Sequence, residues 1–261
     1  MSEEAILLRQ DKGQRVDLTL NRPGQFNSLS EDMLAALQKE LDAIAADPRI
    51  MVVVLHGNGK AFCAGHDLKE MRANPQEAYY RDLFERCSGV MQTINRMPQI
   101  VIASVHGIAT AAGCQLVAQA DLAVCSEAAR FAVSGITVGL FCSTPAVPLS
   151  RVVPRKKAME MLVTGDFIDA EDARQNGLVN RVVPAEQLDS EVDALCDKVM
   201  SRSTSAIRRG KALFYAQLDK PLDEAYQLAG SVMACNMMDE DAAEGIDAFM
   251  QKRQPQYRGK E

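Results

Sequence analysis

The sequence predicts an α/β protein built on a mainly parallel sheet, with a helical last third. Three observations carry this reading. Met51–Leu55 (MVVVL) and Ile100–Val105 (IVIASV) are unbroken apolar runs, the pattern of strands buried on both faces. From Ile50 to Cys125 the chain alternates strand, loop, helix, strand, turn, helix and strand, which fits parallel pairing with right-handed crossovers. From Pro154 onward the pattern is almost wholly helical, interrupted by one strand-like piece, Val179–Val183.

In chain order, Ala5–Leu8 and Arg15–Leu20 alternate as two strands around the turn Asp11-Lys12-Gly13. Ser30 is placed to cap a helix with Leu34, Leu37, Leu41 and Ile44 on its apolar face, ending before Asp47-Pro48. After the Met51 strand comes a turn-rich loop, His56–Gly59, and then KAFCAGHDLKEM (60–71), a loop of small residues turning into a short helix. Gln76–Met97 reads as a longer helix stopped by Pro98, and Leu122–Cys125 as a strand. Phe131–Leu140 holds a short strand or a bent turn. The later helices are Lys156–Val163, Ala170–Asn176, Ala185–Met200, Thr204–Gln217, Leu222–Met238 and Asp241–Lys252. The apolar faces of the last two suggest packing on a core of their own or against another subunit. No linker or internal repeat is visible.

The organising stretch is HGIATAAGCQLVAQAD (106–121), directly after the Ile100 strand. Gly107, Ala109, Thr110, Ala111, Ala112 and Gly113 read as a turn that lets backbone approach a ligand, and Cys114–Ala120 as the helix after it. N–H groups at a helix start lack intrahelical acceptors and are backed by the helix dipole, the arrangement that can hold a developing oxyanion. Taken alone, the stretch reads more readily as a tight strand-to-helix packing joint.

Composition sets the bounds. A chain of 261 residues with 47% hydrophobic and 25% charged residues can bury a sizeable core as one domain, or as one large domain with a helical appendage. A formal net charge of −6, with only a local basic cluster at Gln251–Lys260, argues against nucleic-acid or anionic-membrane surfaces. Seven cysteines without a C-x-x-C pair suggest reduced thiols in a cytosol-like compartment. The acidic start, MSEEAILLRQ, has too short an apolar core for a signal peptide, and no stretch is long enough to span a membrane. The expected location is therefore cytoplasmic, or the mitochondrial matrix had a transit peptide been removed. The three histidines have no metal-ligand spacing, so no metal is expected.

Five segments in order, NRPGQFNSLS (21–30), GKAFCAGHDLKEM (59–71), HGIATAAGCQLVAQAD (106–121), LVTGDFIDAEDARQNGLVNRVVP (162–184) and GIDAFMQKRQP (245–255), resemble the enoyl-CoA hydratase/isomerase (crotonase) superfamily. The match runs from about Arg15 to about Tyr257 and is nearest the enoyl-CoA hydratase domain-containing branch. The resemblance implies a crotonase-like spiral of β-β-α turns over residues 1–200. A helical C-terminal region, 201–261, would then make trimer or hexamer contacts and part of the coenzyme A site. It implies no tightly bound cofactor, an acyl-CoA or enoyl-CoA thioester as ligand, and enolate stabilisation by the backbone N–H groups of His66 and Ala112. Gly24, Gln25, Phe26, Ala64, Asp67 and Leu68 fall at coenzyme A contacts, and Ala111 and Ser134 beside the thioester. Phe249 and Lys252 fall where a neighbouring subunit reaches the nucleotide. Helix 76–97, with Tyr79, Phe84, Cys87 and Met91, is expected to line the acyl pocket or to pack as core.

The chain departs from that pattern where a hydratase needs two carboxylates across the double bond. Gln115 stands at the first and Gly135 at the second, so efficient hydration is not expected. The following Gly-rich loop is replaced by Phe141-Cys142-Ser143-Thr144-Pro145. His66 is a candidate replacement proton carrier, because imidazole titrates near neutrality, unless its ring points away onto backbone or Asp67. Asp67 reads as a brace of its loop, and Cys142 as structural. Two readings follow: an acyl-CoA enzyme with non-glutamate chemistry, or a non-catalytic acyl-CoA binder or regulatory protein.

Overall fold

The structure, a computed structural model, describes residues 5–258. Glu3 and Glu4 of the acidic start, and Gly259 and Lys260 of the basic cluster, lie outside the described residues. Strands β1 (Leu7–Lys12) and β2 (Arg15–Leu20) pair antiparallel, with Leu7 opposite Leu20. The first strand starts later than the sequence suggests and runs through Asp11 and Lys12, so the turn is Gly13-Gln14. Helix α1 (Glu31–Ala45) begins where expected: Ser30 Oγ accepts the Met33 N–H at 3.2 Å. Leu34, Leu37, Leu41 and Ile44 are all at most 1% exposed.

The centre of the chain is a coil of strand pairs. β3 (Val52–Gly57), β5 (Ile100–Val105) and β7 (Leu122–Ser126) lie parallel in one sheet; β4 (Ala61–Cys63), β6 (Ile108–Thr110) and β8 (Arg130–Ala132) follow them one by one in a second sheet. Helices α2 (Leu68–Ala73) and α3 (Glu77–Arg96) carry the chain back after β4, and α4 (Ala112–Gln119) after β6. With β9 (Ile168–Asp169) and β10 (Arg181–Val183), the strand orders are β1-β2-β3-β5-β7-β10 and β4-β6-β8-β9. This is the β-β-α spiral that the family resemblance implies. β4 and β6, read from sequence as loop and turn, are three-residue strands, too short for a period of two to register.

Buried runs are explained by cores on both faces of the six-stranded sheet. Val53, Leu55, Val101, Ala103 and Val105 point to the main core with the apolar faces of α1, α3 and α4. Val52, Val54, Ile102 and Val124 point the other way, onto Leu188, Val192, Leu195 and Cys196 of α8 (Leu188–Met200). Between β8 and α8 the chain forms a 3-10 turn (Ser134–Val138) and helices α5 (Ser143–Val152), α6 (Arg155–Thr164) and α7 (Ala170–Gln175).

The last helices are α9 (Thr204–Gln217), α10 (Leu222–Met237) and α11 (Glu240–Met250). A buried lysine fastens α9: Lys211 Nζ donates to the Ile94 and Gln99 carbonyls and to Asp121 Oδ2, while Tyr215 OH donates to Asp121 Oδ1. The expected separate core of α10 and α11 does not form within the chain. Leu222, Met233 and Phe249 are 74%, 69% and 85% exposed, because the two helices present these faces outward with none of the described residues above them.

Candidate functional site

A cavity of about 500 Å³ opens where the ends of β4, β6 and β8 come together. Its wall contains Gly24, Gln25, Phe26, Ala64, His66, Asp67, Leu68, Ala111, Ala112, Ser134 and Gly135. Three residues expected at the site are not in that wall. Gln115 is one helical turn beyond Ala112 and 3% exposed, with a buried Oε1 that has no partner. Phe249, at the end of α11, and Lys252, just past it with φ 55°, are exposed and apart from the cavity in this chain.

Each loop of the wall is fixed by local bonds. Buried Asn27 donates through Nδ2 to the Asn58 and Ala61 carbonyls, both at 2.8 Å, and Ala64 N–H donates to the Phe26 carbonyl at 3.0 Å. Gly24–Phe26 and Ala64 are thereby held side by side. Asp67 caps α2, its Oδ1 accepting from the Lys69 N–H at 3.0 Å, while Oδ2 lies 3.3 Å from Arg22 Nη1 and Ser28 Oγ. Burial alone would raise this carboxyl, but the helix N–H groups and Arg22 hold it below the usual carboxylate range. It is the brace that the sequence suggests. Thr110 and Ser134 hydroxyls, 2.8 Å apart, tie the ends of β6 and β8 together.

Two peptide N–H groups, those of His66 and Ala112, face no acceptor among the described residues. For Ala112 this follows from its position as the first residue of α4. For His66 it follows from the bridge to Leu29, in which Leu29 donates to Gly65 and Asp67 donates to Leu29, leaving the residue between them unbonded. Gly65 lets the two loops meet. It has φ +90°, and a Cβ there would stand 2.8 Å from Ala111 Cβ and 3.1 Å from Ala112 N. Ala111 itself sits at φ 50°, ψ −121°, a costly conformation for a residue with a side chain. Gly113 seats α4 on β4, since a Cβ would meet the Cys63 carbonyl oxygen at 2.0 Å.

The His66 ring is half-buried and packs edge-on to Phe84 with centroids 5.5 Å apart. Neither ring nitrogen makes a well-formed hydrogen bond among the described residues, and Asp67 does not hold the ring; the Leu29 backbone is the polar group that acts on it. Burial lowers its pKa from the ordinary imidazole value, with only the Leu29 backbone opposing, which keeps it neutral near pH 7. Of the four helix residues expected at the acyl pocket, Phe84 alone lines the cavity. Cys87 and Met91 are core, and Tyr79 packs against that core, because they lie on the face of α3 that meets α1.

Gly135 has no room for a side chain. A Cβ there would be 2.5 Å from the Leu140 carbonyl oxygen and 2.7 Å from Cys142 Sγ. The Gly135 N–H donates to that sulfur at 3.3 Å, and Leu140 N–H donates back to the Gly135 carbonyl at 2.9 Å. Burial pushes the Cys142 thiol up, so it is a filler of the turn and not a thiolate. The packing role of Gly65, and the way 140–142 closes on Gly135, were not visible in sequence; the A-G-x-D run that contains Gly65 and the F-C-S-T-P segment are the nearest signal. Among the described residues no group of three or more His, Cys, Asp or Glu side chains is arranged to hold a metal ion.

A profile of the enoyl-CoA hydratase/isomerase family matches residues 12–260. The chain is 46% identical over 249 residues to enoyl-CoA hydratase domain-containing protein 3, mitochondrial, of Xenopus laevis, covering 95% of this chain and 84% of that one. The crystal structure of an enoyl-CoA hydratase of Mycobacterium smegmatis superposes with a TM-score of 0.96 at 58% identity, over 97% of this chain and 99% of that one. That of human enoyl-CoA hydratase domain-containing protein 3 gives 0.94 at 42% identity, over 97% and 100%. With the spiral fold already described, these matches place the chain in the enoyl-CoA hydratase/isomerase family of the crotonase superfamily, on the branch of enoyl-CoA hydratase domain-containing protein 3.

Proposed function

We propose that the protein binds an acyl-CoA or enoyl-CoA thioester in this cavity, with the thioester oxygen on the N–H groups of His66 and Ala112. The observation that carries the reading is the pair of acceptor-less peptide N–H groups brought together by Gly65. Charge gathering on the oxygen as an enolate forms would be met by fixed donors in a partly dry site, an effect worth about 3–4 kcal/mol per donor. Gly24–Phe26, Ala64, Asp67 and Leu68 form the rim that would receive the coenzyme A arm, and Ala111 and Ser134 flank the thioester. Phe249 and Lys252 would contribute from a neighbouring subunit of a trimer or hexamer, which fits the outward apolar faces of α10 and α11. Residues 1–200 would then be the catalytic spiral and 201–261 the assembly region. No tightly bound cofactor is required, and the free thiols of all seven cysteines suit a reducing compartment, cytoplasm or mitochondrial matrix.

Hydration is not the favoured reaction. An amide at Gln115 takes no proton at neutral pH and Gly135 has no side chain, so neither carboxylate role of a hydratase is filled. The group left beside the donors is neutral His66, able to accept a proton from the α-carbon of a bound thioester. The alternative, a non-catalytic acyl-CoA binder, is favoured by the same two positions. Incubation of a panel of enoyl- and acyl-CoA thioesters in heavy water, read by mass spectrometry, separates them. Deuterium exchange, isomerisation or cleavage lost in His66→Ala identifies an enzyme. Binding with every thioester unchanged identifies a carrier or sensor, and absence of binding overturns the reading.

A further inference from the structure

We propose that the protein carries a second ligand site, for a diphosphate or longer polyphosphate group, at the opposite end of the six-stranded sheet from the thioester cavity. A cavity of about 600 Å³ lies there, bounded by the β1–β2 turn, the Pro48-Arg49 entry to β3, the link between α8 and α9, and the tail 255–258. Arg49, Arg202, Arg208 and Arg258 line it, and no Asp or Glu is among the described residues of its wall. This is a concentration of positive charge in a chain whose net charge is −6.

The arginines are not equally committed. Arg49 pairs with Asp47 through two bonds, at 2.7 and 3.0 Å. Arg208 spends one nitrogen on the Pro48 and Ile50 carbonyls, and its Nε is buried with no partner. The side chains of Arg202 and Arg258 make no hydrogen bond or ion pair among the described residues. Two complete guanidinium forks are therefore available, and each matches two oxygens of a phosphate. Thr204, also in the wall, is the first residue of the 14-residue helix α9. Its N–H and that of Ser205 have no acceptor among the described residues, because the Ser203 cap serves Ala206. The positive end of a helix thus opens beside the free arginines.

The wall is built and not incidental. Asp241, 7% exposed, accepts from Ser203 Oγ at 2.7 Å and from the Arg258 N–H at 2.9 Å, so one buried carboxylate joins the start of α9 to the tail. Glu244 accepts the Gln256 N–H at 2.7 Å while pairing with Arg253. The carboxylates of this framework, Asp47, Asp241 and Glu244, are all engaged in holding it. None of these is left to neutralise Arg202, while Arg258 also borders Glu240, Asp241 and Glu244. Tyr257, between Gln256 and Arg258, offers a ring beside the cavity should the phosphates belong to a nucleotide.

The test is calorimetric titration of the full chain with inorganic pyrophosphate and, separately, with ADP. Binding of one equivalent that weakens with added salt is expected. Arg202→Gln should weaken it about tenfold, and Arg202→Glu with Arg258→Glu about a hundredfold, the scale of one and two lost charge-assisted bonds. Arg202 has no partner among the described residues, so Arg202→Gln should leave the melting temperature at the wild-type value; the double variant loses the charge that Arg258 sets beside Glu244 and should melt somewhat lower, while binding of crotonyl-pantetheine, which has no phosphate, should stay unchanged in both. ADP binding more tightly than pyrophosphate and losing the difference in Tyr257→Leu assigns a nucleotide; equal affinities assign the diphosphate group alone. No binding of either probe, or binding untouched by the two arginine variants, overturns the proposal. Failure of the thioester reading would appear instead as loss of crotonyl-pantetheine binding in the wild-type chain.

Discussion

The two sides of the cavity proposed to hold a thioester depend on the sequence in different ways. One side is made of peptide N–H groups at His66 and Ala112, and what the sequence must supply is room: Gly65 between the loops and Gly113 under the helix. The other side, Gly135 in the wall and Gln115 buried one helical turn behind Ala112, is where the family resemblance calls for carboxylate side chains, and here the chain has a closed turn and an amide. A site half made of backbone tolerates a histidine at one of its donors without altering the donor. A site half made of side chains changes with a single substitution. On the proposed reading, the contrast separates two demands within one fold: holding a thioester, which falls to backbone, and adding water to it, which falls to side chains.

Four measurements would break or sharpen this contrast, starting with the largest effect. Gly113→Ala drives a methyl into the Cys63 carbonyl and should cost about 3 kcal/mol by denaturant titration, the upper range for overpacking. A neutral result would mean that the donor side is not held by that contact. Gln115→Glu should raise crotonyl-CoA hydration by about 10²-fold, the lower value for one general base. Adding Gly135→Glu should give no further gain while Leu140 and Cys142 fill the space; a second gain of similar size would show that the turn opens freely. Gly135→Ala should destabilise by about 2 kcal/mol, and Cys142→Ala in the same chain should recover part of the loss, because one of two close contacts is removed.

The smallest effect is on pH dependence. Because the folded-state pKa of His66 lies below its ordinary value of 6.5, the unfolded chain takes up this proton first as pH falls. Stability linked to His66 is fully present above about pH 6.5 and declines as pH drops toward the folded pKa. His66→Phe, which keeps the packing on Phe84, should flatten the stability profile between pH 7 and the acid limb, read from thermal melts. An unchanged profile would place the ring in water.

Much of the fold was legible because long elements announce themselves: Ile100–Val105 and Thr204–Gln217 were read with their boundaries, and the Ser30 cap with its function. The second sheet was not, since β4, β6 and β8 have three residues each and their pairing is decided by partners distant in sequence. At the cavity, the loops named by the family resemblance share one wall, yet the closed turn at Gly135 depends on Leu140 and Cys142 folding back over it. For the outward faces of α10 and α11 the sequence left a separate core and subunit contact both open, because a periodic apolar stripe says that something covers it and not what does.

The coil also has a consequence for how such a protein can change over generations. His66, Ala112 and Gly135 occur just past β4, β6 and β8, the same place in three successive windings, although the windings share no repeated sequence. Each winding therefore contributes one position to a common seam. On the proposed reading, the side chain at one position can be exchanged while the backbone donors of the other windings stay in place, so a lineage can drift from one reaction to another without losing its fold.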